Sequence, residues 1–382
     1  MTNRITPGQI KKNNRQQIYN YIYEQGNVSQ QGNVSQQAIA YALNLSRPTV
    51  ATNLSALEED GLICKNGQLE SDQIGRKAVA YAIVADYRIA IGVEIMRHVV
   101  KLIAVDLYGR KLRRDVTEIE YANEEAYYER VCGTILGFIA ALEVAPERVL
   151  GIGIAMQGLV SPDGRMMVYG KILDCTGLRI DAFERWLDFP CAFIHDPAGA
   201  AISELWVSPE LEDAVYLSLS RHLGGATIMN RQVVNGRHGH SGTYEHVQVQ
   251  PRGELCYCGK RGCWDTLCSM KALIGNGDPE VFFEAARRED TDEARRWQRY
   301  LKNLARLIED IHLLNDVEII LGGHLAPYLT ESDIRVIYNE IHRLCPFDDS
   351  DDYIRISKMP SHNITVGAAL PYIRRFLEDI DA

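Results

Sequence analysis

Three cysteines lie close together in the stretch CYCGKRGCWD, at positions 256, 258 and 263, and a histidine precedes the first of them by ten residues. Three thiolates and one imidazole complete a tetrahedral zinc shell and leave no open position for water, which is typical of a structural zinc site. The glycines between the cysteines allow the backbone to turn tightly around a bound ion. We therefore predict a structural Zn²⁺ bound by His246, Cys256, Cys258 and Cys263.

Other uses of these cysteines fit the spacing less well. A catalytic zinc ion normally keeps one water ligand, and a thioredoxin-like redox pair would read Cys-x-x-Cys. Cysteines that are buried without a metal remain an alternative. Cys268 follows nearby and is expected to be a spare thiol. The nine cysteines of the chain show no small-scaffold spacing, which favours thiols or metal ligands over disulfides.

The first 60 residues predict three helices. IKKNNRQQIYNYIYEQG spaces its apolar residues as a helix does, and this helix is predicted to end at Gly26. The repeat GNVSQQ at 26–31 and 32–37 is read as a lengthened loop followed by the start of a second helix, with Ser35 as its N-cap. The third helix begins after Ser46 in NLSRPTVATNLSALEEDGLI and turns its apolar side chains inward. Its inward positions are Val50, Leu54 and Leu57.

Two strands, GLICKNGQLE and AVAYAIV, follow these helices and are joined by a turn-rich segment, which indicates a winged helix-turn-helix. In such a module the third helix enters the DNA major groove, and arginine and asparagine near its start can bind base edges. Basic residues in the wing can contact phosphates or a narrow minor groove. The alternative is a protein-interaction domain with an exposed polar helix. The candidate DNA contacts are Ser46, Arg47, Thr49, Asn53, Arg76 and Lys77.

Composition agrees with a nucleic-acid-binding head on an acidic body. The formal charge of the 382 residues is −10, yet residues 1–85 carry eight Lys and Arg against six Asp and Glu, so the remainder carries −12. We see no apolar core of a signal peptide and no apolar run near the roughly 20 residues that span a bilayer. The expected location is therefore the cytoplasm, with no membrane contact.

From about residue 87 onward, apolar strands such as RIAIGVEI and VLGIGIAMQGLV alternate with helical segments such as EEAYYERVCGTILGFIAAL. This alternation predicts an α/β body in two lobes with a ligand cleft between them. The predicted domains are a winged helix-turn-helix at 1–85, a first lobe at 86–205 and a second lobe at 206–363 that contains the zinc loop. The C-terminal helix, 364–382, is expected to pack back on the first lobe.

The body resembles the ROK family of sugar kinases and transcriptional repressors. CYCGKRGCWD is similar to the zinc loop of that family, and His246 stands where its metal-binding histidine does. The winged helix resembles the repressor branch, which regulates xylose, glucose or N-acetylglucosamine genes. The resemblance implies an actin-like, hexokinase-like ATPase fold, a double-stranded DNA operator, a sugar effector and a homodimer or higher homo-oligomer.

The kinase motifs of that family are degraded in this chain. The early Asp-x-Gly-Gly-Thr phosphate motif corresponds to GVEIMRHVVKL, which keeps only the acid Glu94. The second glycine-rich turn corresponds to SRHLGGA, with Gly224 and Gly225 retained. Gly322 and Gly323 in ILGGH resemble the adenosine-side turn, although a glycine pair between a strand and a helix is also ordinary architecture. The chain is therefore not expected to be an enzyme.

The sugar site is altered as well. Asp196 lies eight residues before Glu204, as the catalytic aspartate of the family lies before its helix glutamate, but His195 replaces the usual asparagine. The Glu-x-Gly-His sugar motif appears as TYEH, so Thr243 replaces the sugar-binding glutamate. These changes imply a different ligand or no sugar binding. The candidate ligand residues are Gly158, Lys171, His195, Asp196, Thr243 and His246.

Together these features predict a DNA-binding transcriptional regulator, a repressor of carbohydrate-metabolism genes whose kinase-like body senses a sugar or sugar derivative. Two alternatives stay open. One is an active sugar kinase with a DNA-binding head. The other is a DNA-binding scaffold that is controlled by a partner protein.

Overall fold

A computed structural model of the chain describes residues 7–29, 33–68, 78–347, 352–359 and 362–381. The helices are α1 (Pro7–Ser29), α2 (Gln36–Ala42), α3 (Arg47–Glu59), α4 (Glu125–Ala140), α5 (Asp181–Glu184), α6 (Asp196–Val207), α7 (Asp265–Cys268), α8 (Met270–Ile274), α9 (Pro279–Ala286), α10 (Asp292–Asn315), α11 (Glu331–Leu344) and α12 (Asn363–Glu378). Among these described helices, none combines the length and the apolar character that a membrane span requires.

The strands form three main sheets and one short hairpin. The sheet orders are β1-β3-β2, β10-β7-β4-β5-β6 and β13-β12-β11-β14-β15, and the hairpin is β8-β9. The strands are β1 (Val34–Ser35), β2 (Ile63–Gln68), β3 (Val79–Ile83), β4 (Ile89–Ile95), β5 (Val99–Val105), β6 (Lys111–Glu118), β7 (Val149–Met156), β8 (Leu159–Val160), β9 (Met167–Tyr169), β10 (Cys191–His195), β11 (Ala214–Leu219), β12 (Leu223–Met229), β13 (Gln232–Val233), β14 (Glu318–Gly322) and β15 (Ile354–Ile356).

The amino-terminal module has the three helices and the small sheet of a winged helix-turn-helix, as predicted. The N-caps are confirmed, because Ser35 Oγ accepts from the Ala38 amide and Ser46 Oγ accepts from the Thr49 amide. The three residues expected to face inward from α3 are all buried. Strands β2 and β3 pair antiparallel. The segment that would contain the wing tip, 69–77, lies outside the described residues.

One predicted boundary is wrong. Helix α1 does not end at Gly26 but continues to Ser29, so the first GNVSQQ copy begins inside a helix and is not wholly a loop. Glycine occurs at position 26 because of tertiary packing: a Cβ there would collide with the hydroxyl end of Tyr108. Glycine is used here for close approach of the helix to the body, at a helix-propensity cost of about 1 kcal/mol.

The body contains two sheets that are joined by two packed helices. In the first sheet, β10, β7 and β4 are parallel and β5 and β6 antiparallel, with α4 on one face. In the second sheet, α9, α10 and α11 cover one face. Helix α6 packs its alanines against the other face of the second sheet and also against α12. Its first residue, Asp196, therefore lies where the two sheets approach each other.

Helix α12 joins the DNA-binding module to the body. It packs on β4 and β7, where the carbonyls of Thr365 and Ala368 leave no room for a Cβ at Gly92 and Gly153. Beyond these contacts its carboxyl end meets α1, with Gln16 Nε2 donating to the Leu377 carbonyl at 2.8 Å. Exposed ion pairs between α1 and the chain end surround this contact: Lys12 with Asp379 and Arg15 with Asp381.

Candidate metal centre, ligand cleft and DNA-binding face

The predicted metal ligands come together in space. The ligand atoms of His246, Cys256, Cys258 and Cys263 all lie within 4.8 Å of one another. Cys258 Sγ is 3.7 Å from Cys263 Sγ, and Cys256 Sγ is 3.7 Å from His246 Nδ1. A tetrahedral zinc ion with Zn–S bonds of about 2.3 Å would hold its sulfur ligands about 3.8 Å apart. The donor set and its spacing therefore fit a tetrahedral metal ion.

Local hydrogen bonds fold the cysteine loop around this centre. The Cys256 amide donates to the Lys260 carbonyl at 2.8 Å, and the Gly259 amide donates back to the Cys256 carbonyl at 2.9 Å. Gly259 and Gly262 have φ angles of 91° and 64°, in the left-handed region that glycine adopts without strain. The glycines that the sequence places between the cysteines are thus required by the turn itself.

Burial disfavours the ionised form of two thiols of the cluster. Burial raises the pKa of both the Cys256 and the Cys263 thiol above the ordinary value. A coordinated metal ion reverses this preference, because a thiol that binds a metal is deprotonated. Cys268 is buried beneath α10, where Tyr300 donates to its carbonyl, and it is not a member of the cluster.

A cleft opens beside the metal cluster, between the two sheets. It encloses about 520 Å³ of space between atoms, its open mouth included. Gln157, Ser218 and Ser220 add polar groups to its lining, and Tyr169 and Tyr257 add aromatic rings. Five of the six predicted ligand residues line it: Gly158, Lys171, His195, Asp196 and His246.

The sixth predicted residue, Thr243, does not line this cleft. Its hydroxyl donates to the His240 carbonyl at 3.1 Å, and Glu245 takes its place in the wall. Glu245 is not among the residues predicted from the sequence. The motif TYEH contains it, but comparison with Glu-x-Gly-His places the sugar-binding glutamate at position 243.

Burial sets the charge of the groups around Asp196. Burial, and then the nearby Glu94, raise the pKa of Asp196 to about 7. Burial, and then His246, lower the pKa of His195 to about 4. His195 Nε2 lies 3.5 Å from Asp196 Oδ1. A neutral imidazole beside a carboxyl group gives this end of the cleft hydrogen-bonding capacity without a fixed positive charge.

Side chains of the protein form hydrogen bonds beside the two turns that correspond to kinase phosphate loops. In the first lobe, Glu94 Oε2 accepts from Lys101 Nζ at 3.2 Å and from Thr365 Oγ1 at 3.1 Å. In the turn between β11 and β12, the Leu223 amide donates to Asp265 Oδ1 at 2.9 Å. That amide is therefore already satisfied by a carboxylate of the chain itself.

The glycine pair of ILGGH has a packing role. A Cβ at Gly322 would collide with the Tyr216 hydroxyl, and Gly323 has a φ of 82° and lies against the turn after β11. His324 Nδ1 lies 3.0 Å from Ser220 Oγ in the same turn. Close packing of β14 on β11 is sufficient to explain both glycines.

The cysteine loop, residues 256–263, which we also call the metal loop, forms one wall of the cleft. The Tyr257 ring stands edge-on to His246 on one side and to His222 on the other, with centroids 4.9 and 4.7 Å apart. Asp265, which follows the last cysteine by two residues, anchors the turn that contains His222. Order in the metal loop is therefore coupled to the shape of the cleft.

The candidate DNA-contact residues of α3 differ in their exposure. Ser46 and Arg47 are exposed and Thr49 is half-buried, with the Ser46 and Thr49 hydroxyls 2.8 Å apart. Asn53 is only 5% exposed, and its amide donates to the Thr49 carbonyl at 2.8 Å, so that amide is already occupied. Thr52 is exposed on the same helix and was not among the predicted residues. Arg76 and Lys77 lie outside the described residues.

Comparison with known proteins adds relatives of two kinds. The regulator NagC of Escherichia coli K12, described as a DNA-binding transcriptional dual regulator, is 27% identical over 268 residues, covering 69% of this chain and 64% of NagC. The xylose repressor of Bacillus subtilis is 24% identical over 69% of this chain and 68% of the repressor. An N-acetylmannosamine kinase of Yersinia pestis is 29% identical over 49% of this chain and 70% of the kinase. The matched part thus spans less than two thirds of NagC.

Solved structures share the fold. A ROK family transcriptional regulator, described as a homologue of the E. coli MLC protein, matches with a TM-score of 0.74 at 21% identity over 97% of both chains. A ROK family glucokinase from Streptomyces griseus, in complex with glucose and AMPPNP, matches with a TM-score of 0.64 at 23% identity over 74% of this chain and 98% of its own.

Sequence profiles match both parts of the chain. A winged helix-turn-helix DNA-binding profile matches residues 12–63, which contain most of α1 and all of α2 and α3. The ROK family profile matches residues 90–369, which contain both large sheets, the cleft and the cysteine cluster. The protein therefore belongs to the ROK family and carries a winged helix-turn-helix in front of its ROK body.

Proposed function

We propose that this protein is a DNA-binding transcriptional regulator, a repressor of carbohydrate-metabolism genes, whose cleft binds a sugar or sugar derivative and whose body transfers no phosphate. One observation carries the proposal: a winged helix is held on a ROK body in which side chains of the chain itself form hydrogen bonds beside the two turns that correspond to phosphate loops. Similarity to NagC and to the xylose repressor supports it. Because its target is DNA, we place it in the cytoplasm.

DNA recognition would depend on the start of α3. Arg47 and Thr49 lie in its first turn, where a recognition helix presents side chains to base edges in the major groove. The exposed guanidinium of Arg47 suits bidentate binding of guanine. Winged helices of this kind commonly act as dimers on two half-sites one or more helical turns apart, and we propose a homodimer here.

Loss of phosphate transfer follows from the first-lobe turn. The Glu94–Lys101 pair lies where kinases of the family need a glycine-rich turn that approaches phosphate, and glycine amides are absent from GVEIMRHVVKL after Gly92. Asp196 keeps a carboxyl group that in a kinase would accept the proton of the sugar hydroxyl. In this protein we assign it to ligand binding.

The metal is proposed to be a structural Zn²⁺ bound by His246, Cys256, Cys258 and Cys263. When bound, it would cross-link the turn around His246 to the cysteine loop with no coordination position left for water or substrate. The residues of the chain then perform the binding: the loop positions Tyr257 and Asp265 against the opposite wall of the cleft.

Communication between cleft and head is proposed to run through two helices. Helix α6 begins at Asp196 in the cleft and packs along α12, whose far end binds α1 of the head. An effector changes DNA affinity only if it prefers one arrangement of these helices, and a tenfold loss of DNA affinity requires a preference of about 1.4 kcal/mol.

Titration of labelled DNA from the promoter beside the gene tests this function. We expect Arg47→Ala to weaken specific binding by about 1–3 kcal/mol, because a base contact is lost. Arg299→Ala, which removes an exposed arginine from α10, serves as the matched control and should change nothing. Equal losses in both variants, or none in either, would contradict the assignment of α3.

The sugar-sensing part of the proposal is tested in the same titration. We expect Asp196→Ala to abolish the response of DNA binding to sugar while DNA affinity without sugar stays unchanged. Release of DNA by sugar from this variant would place the effector site elsewhere. Coupled assays of ATP consumption with hexoses, pentoses and amino sugars should show no turnover; a rate on the order of 1 per second would identify a kinase instead.

A further inference from the structure

The cleft contains a buried carboxylate oxygen that has no partner within the described protein. Glu245 is 3% exposed, and its Oε2 makes no hydrogen bond. Its Oε1 lies 3.9 Å from His246 Nε2, beyond hydrogen-bonding distance. A buried polar atom without a partner is costly, so this oxygen is expected to receive a donor from a molecule that enters the cleft.

Local packing directs position 245, rather than 243, into the cleft. Residues Tyr244–His246 form a single 3₁₀ turn, which brings Glu245 and His246 into the same wall. The Tyr244 ring anchors this turn on β12, since its hydroxyl lies 2.8 Å from Thr227 Oγ1 and a Cβ at Gly225 would collide with the ring. The direction of Glu245 is therefore fixed by the second sheet and not by the loop alone.

Thr243 cannot replace it in this conformation. Its hydroxyl is committed to the His240 carbonyl, on the side away from the cleft lining. The position that carries a sugar-binding glutamate in the kinases thus contributes no acceptor here. An acceptor is instead supplied two residues later, by a side chain of the same chemical type.

A second carboxyl group limits what can bind. Asp196 lines the same cleft, and among the described residues no Lys or Arg forms an ion pair with Asp196 or Glu245. A ligand group that reaches between them must therefore bring hydrogen-bond donors. Hydroxyl groups meet this requirement, whereas an ionised carboxylate or phosphate brings acceptors and no donor.

We propose that Glu245 is the ligand-binding carboxylate of this cleft, that it replaces the glutamate missing at position 243, and that it binds the hydroxyl groups of an uncharged sugar. This inference rests on the proposed sugar-sensing function and identifies the residue and the class of ligand. Glu245 acts here as a specificity-determining residue, because it selects hydroxyl donors and disfavours acidic sugars.

Calorimetric titration of the full-length, metal-loaded protein tests the inference with glucose, xylose, N-acetylglucosamine, N-acetylmannosamine and glucuronic acid as probes. We expect wild type to bind at least one neutral sugar and to bind glucuronic acid more weakly. Glu245→Gln should weaken binding of that neutral sugar by about tenfold, because glutamine replaces one of the two oxygens by an N–H donor. Thr243→Ala should change it less than twofold.

A relocation variant provides the sharpest comparison. Glu245→Gly should lose the affinity, and the double variant Thr243→Glu with Glu245→Gly should not recover it, because position 243 is not part of the cleft lining in this fold. Metal content and DNA affinity without sugar, measured on every variant, should equal those of wild type and show that the fold is intact.

The outcomes separate this inference from the function on which it rests. If wild type binds a sugar and Glu245→Gln binds it equally well, or if Thr243→Ala loses binding, the assignment of Glu245 is wrong and the sensor function stands. Loss of metal in Glu245→Gln would likewise overturn it, by showing that Glu245 supports His246. If wild type binds none of the sugars, the sensor function fails as well.

Discussion

The metal cluster and the ligand cleft share His246 but differ in how their polar atoms are satisfied. In the cluster, four donor atoms converge within 4.8 Å and the loop amides bond to carbonyls of the same loop. In the cleft, His195 Nε2 lies 3.5 Å from Asp196 Oδ1, and Glu245 has an oxygen with no partner among the described residues. The cluster atoms are spaced as a metal ion would require, whereas the cleft retains a polar atom that a ligand could satisfy.

This difference has opposite consequences for stability. A metal that binds only the folded cluster stabilises the protein by its own binding free energy. A buried carboxyl group without a cation destabilises the folded state until a ligand satisfies it. Removing residues from the two regions should therefore change stability in opposite directions.

The largest effect is expected in the cluster. Cys258→Ser should release the metal and lower the free energy of unfolding by several kcal/mol, since structural zinc contributes on the order of 10 kcal/mol in small zinc peptides. Metal analysis and urea unfolding measure both effects, with the exposed Cys64→Ser as control. DNA affinity of the folded variant should stay normal. If Cys258→Ser kept both its metal and the wild-type unfolding midpoint, the proposed difference in stability effects between the two regions would be wrong.

The second effect has the opposite sign and depends on pH. With a folded-state pKa of about 7 against an ordinary value of 3.8, Asp196 keeps a proton that the unfolded chain has lost between these pH values, so stability falls as pH rises from about 4 to 7. Asp196→Asn removes the ionisable group and therefore this loss of stability at higher pH. Its gain in unfolding free energy should grow from near zero at pH 4 to at most about 4 kcal/mol at pH 8, reduced by hydration of a side chain that is 22% exposed.

Asp163→Asn is the matched control for this pH series. Hydrogen bonds from Ser161 and from the Arg165 amide lower the pKa of Asp163, so its removal should destabilise the protein above pH 4. Denaturant unfolding at several pH values measures both variants. If Asp196→Asn gives the same change at pH 4 and pH 8, its carboxyl group is not the unsatisfied acid described here.

The smallest effect concerns the link between the two regions. Asp265→Ala leaves the buried Leu223 amide without its acceptor and should cost about 1–3 kcal/mol of stability. Metal content should not change, because Asp265 is not a member of the cluster. Sugar affinity should fall as the turn around His222 loosens, and the exposed Glu254→Ala is the control. Unchanged sugar affinity would show that the metal loop and the cleft act separately.

Much of the winged helix and of the metal cluster could be predicted because both depend on short separations in sequence. Ser35 and Ser46 cap helices through amides three residues away. The cysteine loop closes within eight residues by its own hydrogen bonds and two glycines. Hydrogen bonds of this kind have a fixed spacing along the chain, so residue type and position are sufficient to indicate them.

Two local expectations changed in the folded protein. Gly26 lies inside α1, since the helix passes close to Tyr108 from the body. Asn53 faces the predicted DNA side of α3 by sequence order, yet it is buried and bonded to its own helix. Capping and helical periodicity contain no information about which neighbour covers a helix.

The amino-acid sequence by itself indicated the ROK body, the winged helix in front of it, the four candidate metal ligands and the altered phosphate motifs. Only the tertiary structure decided that Glu245, and not Thr243, faces the cleft, because that choice depends on the packing of Tyr244 against Gly225 and Thr227 on β12. It also decided that Glu94 is paired with Lys101 and Thr365. The cleft is assembled from segments that are far apart in the chain, and its chemistry is set by contacts that no local spacing encodes.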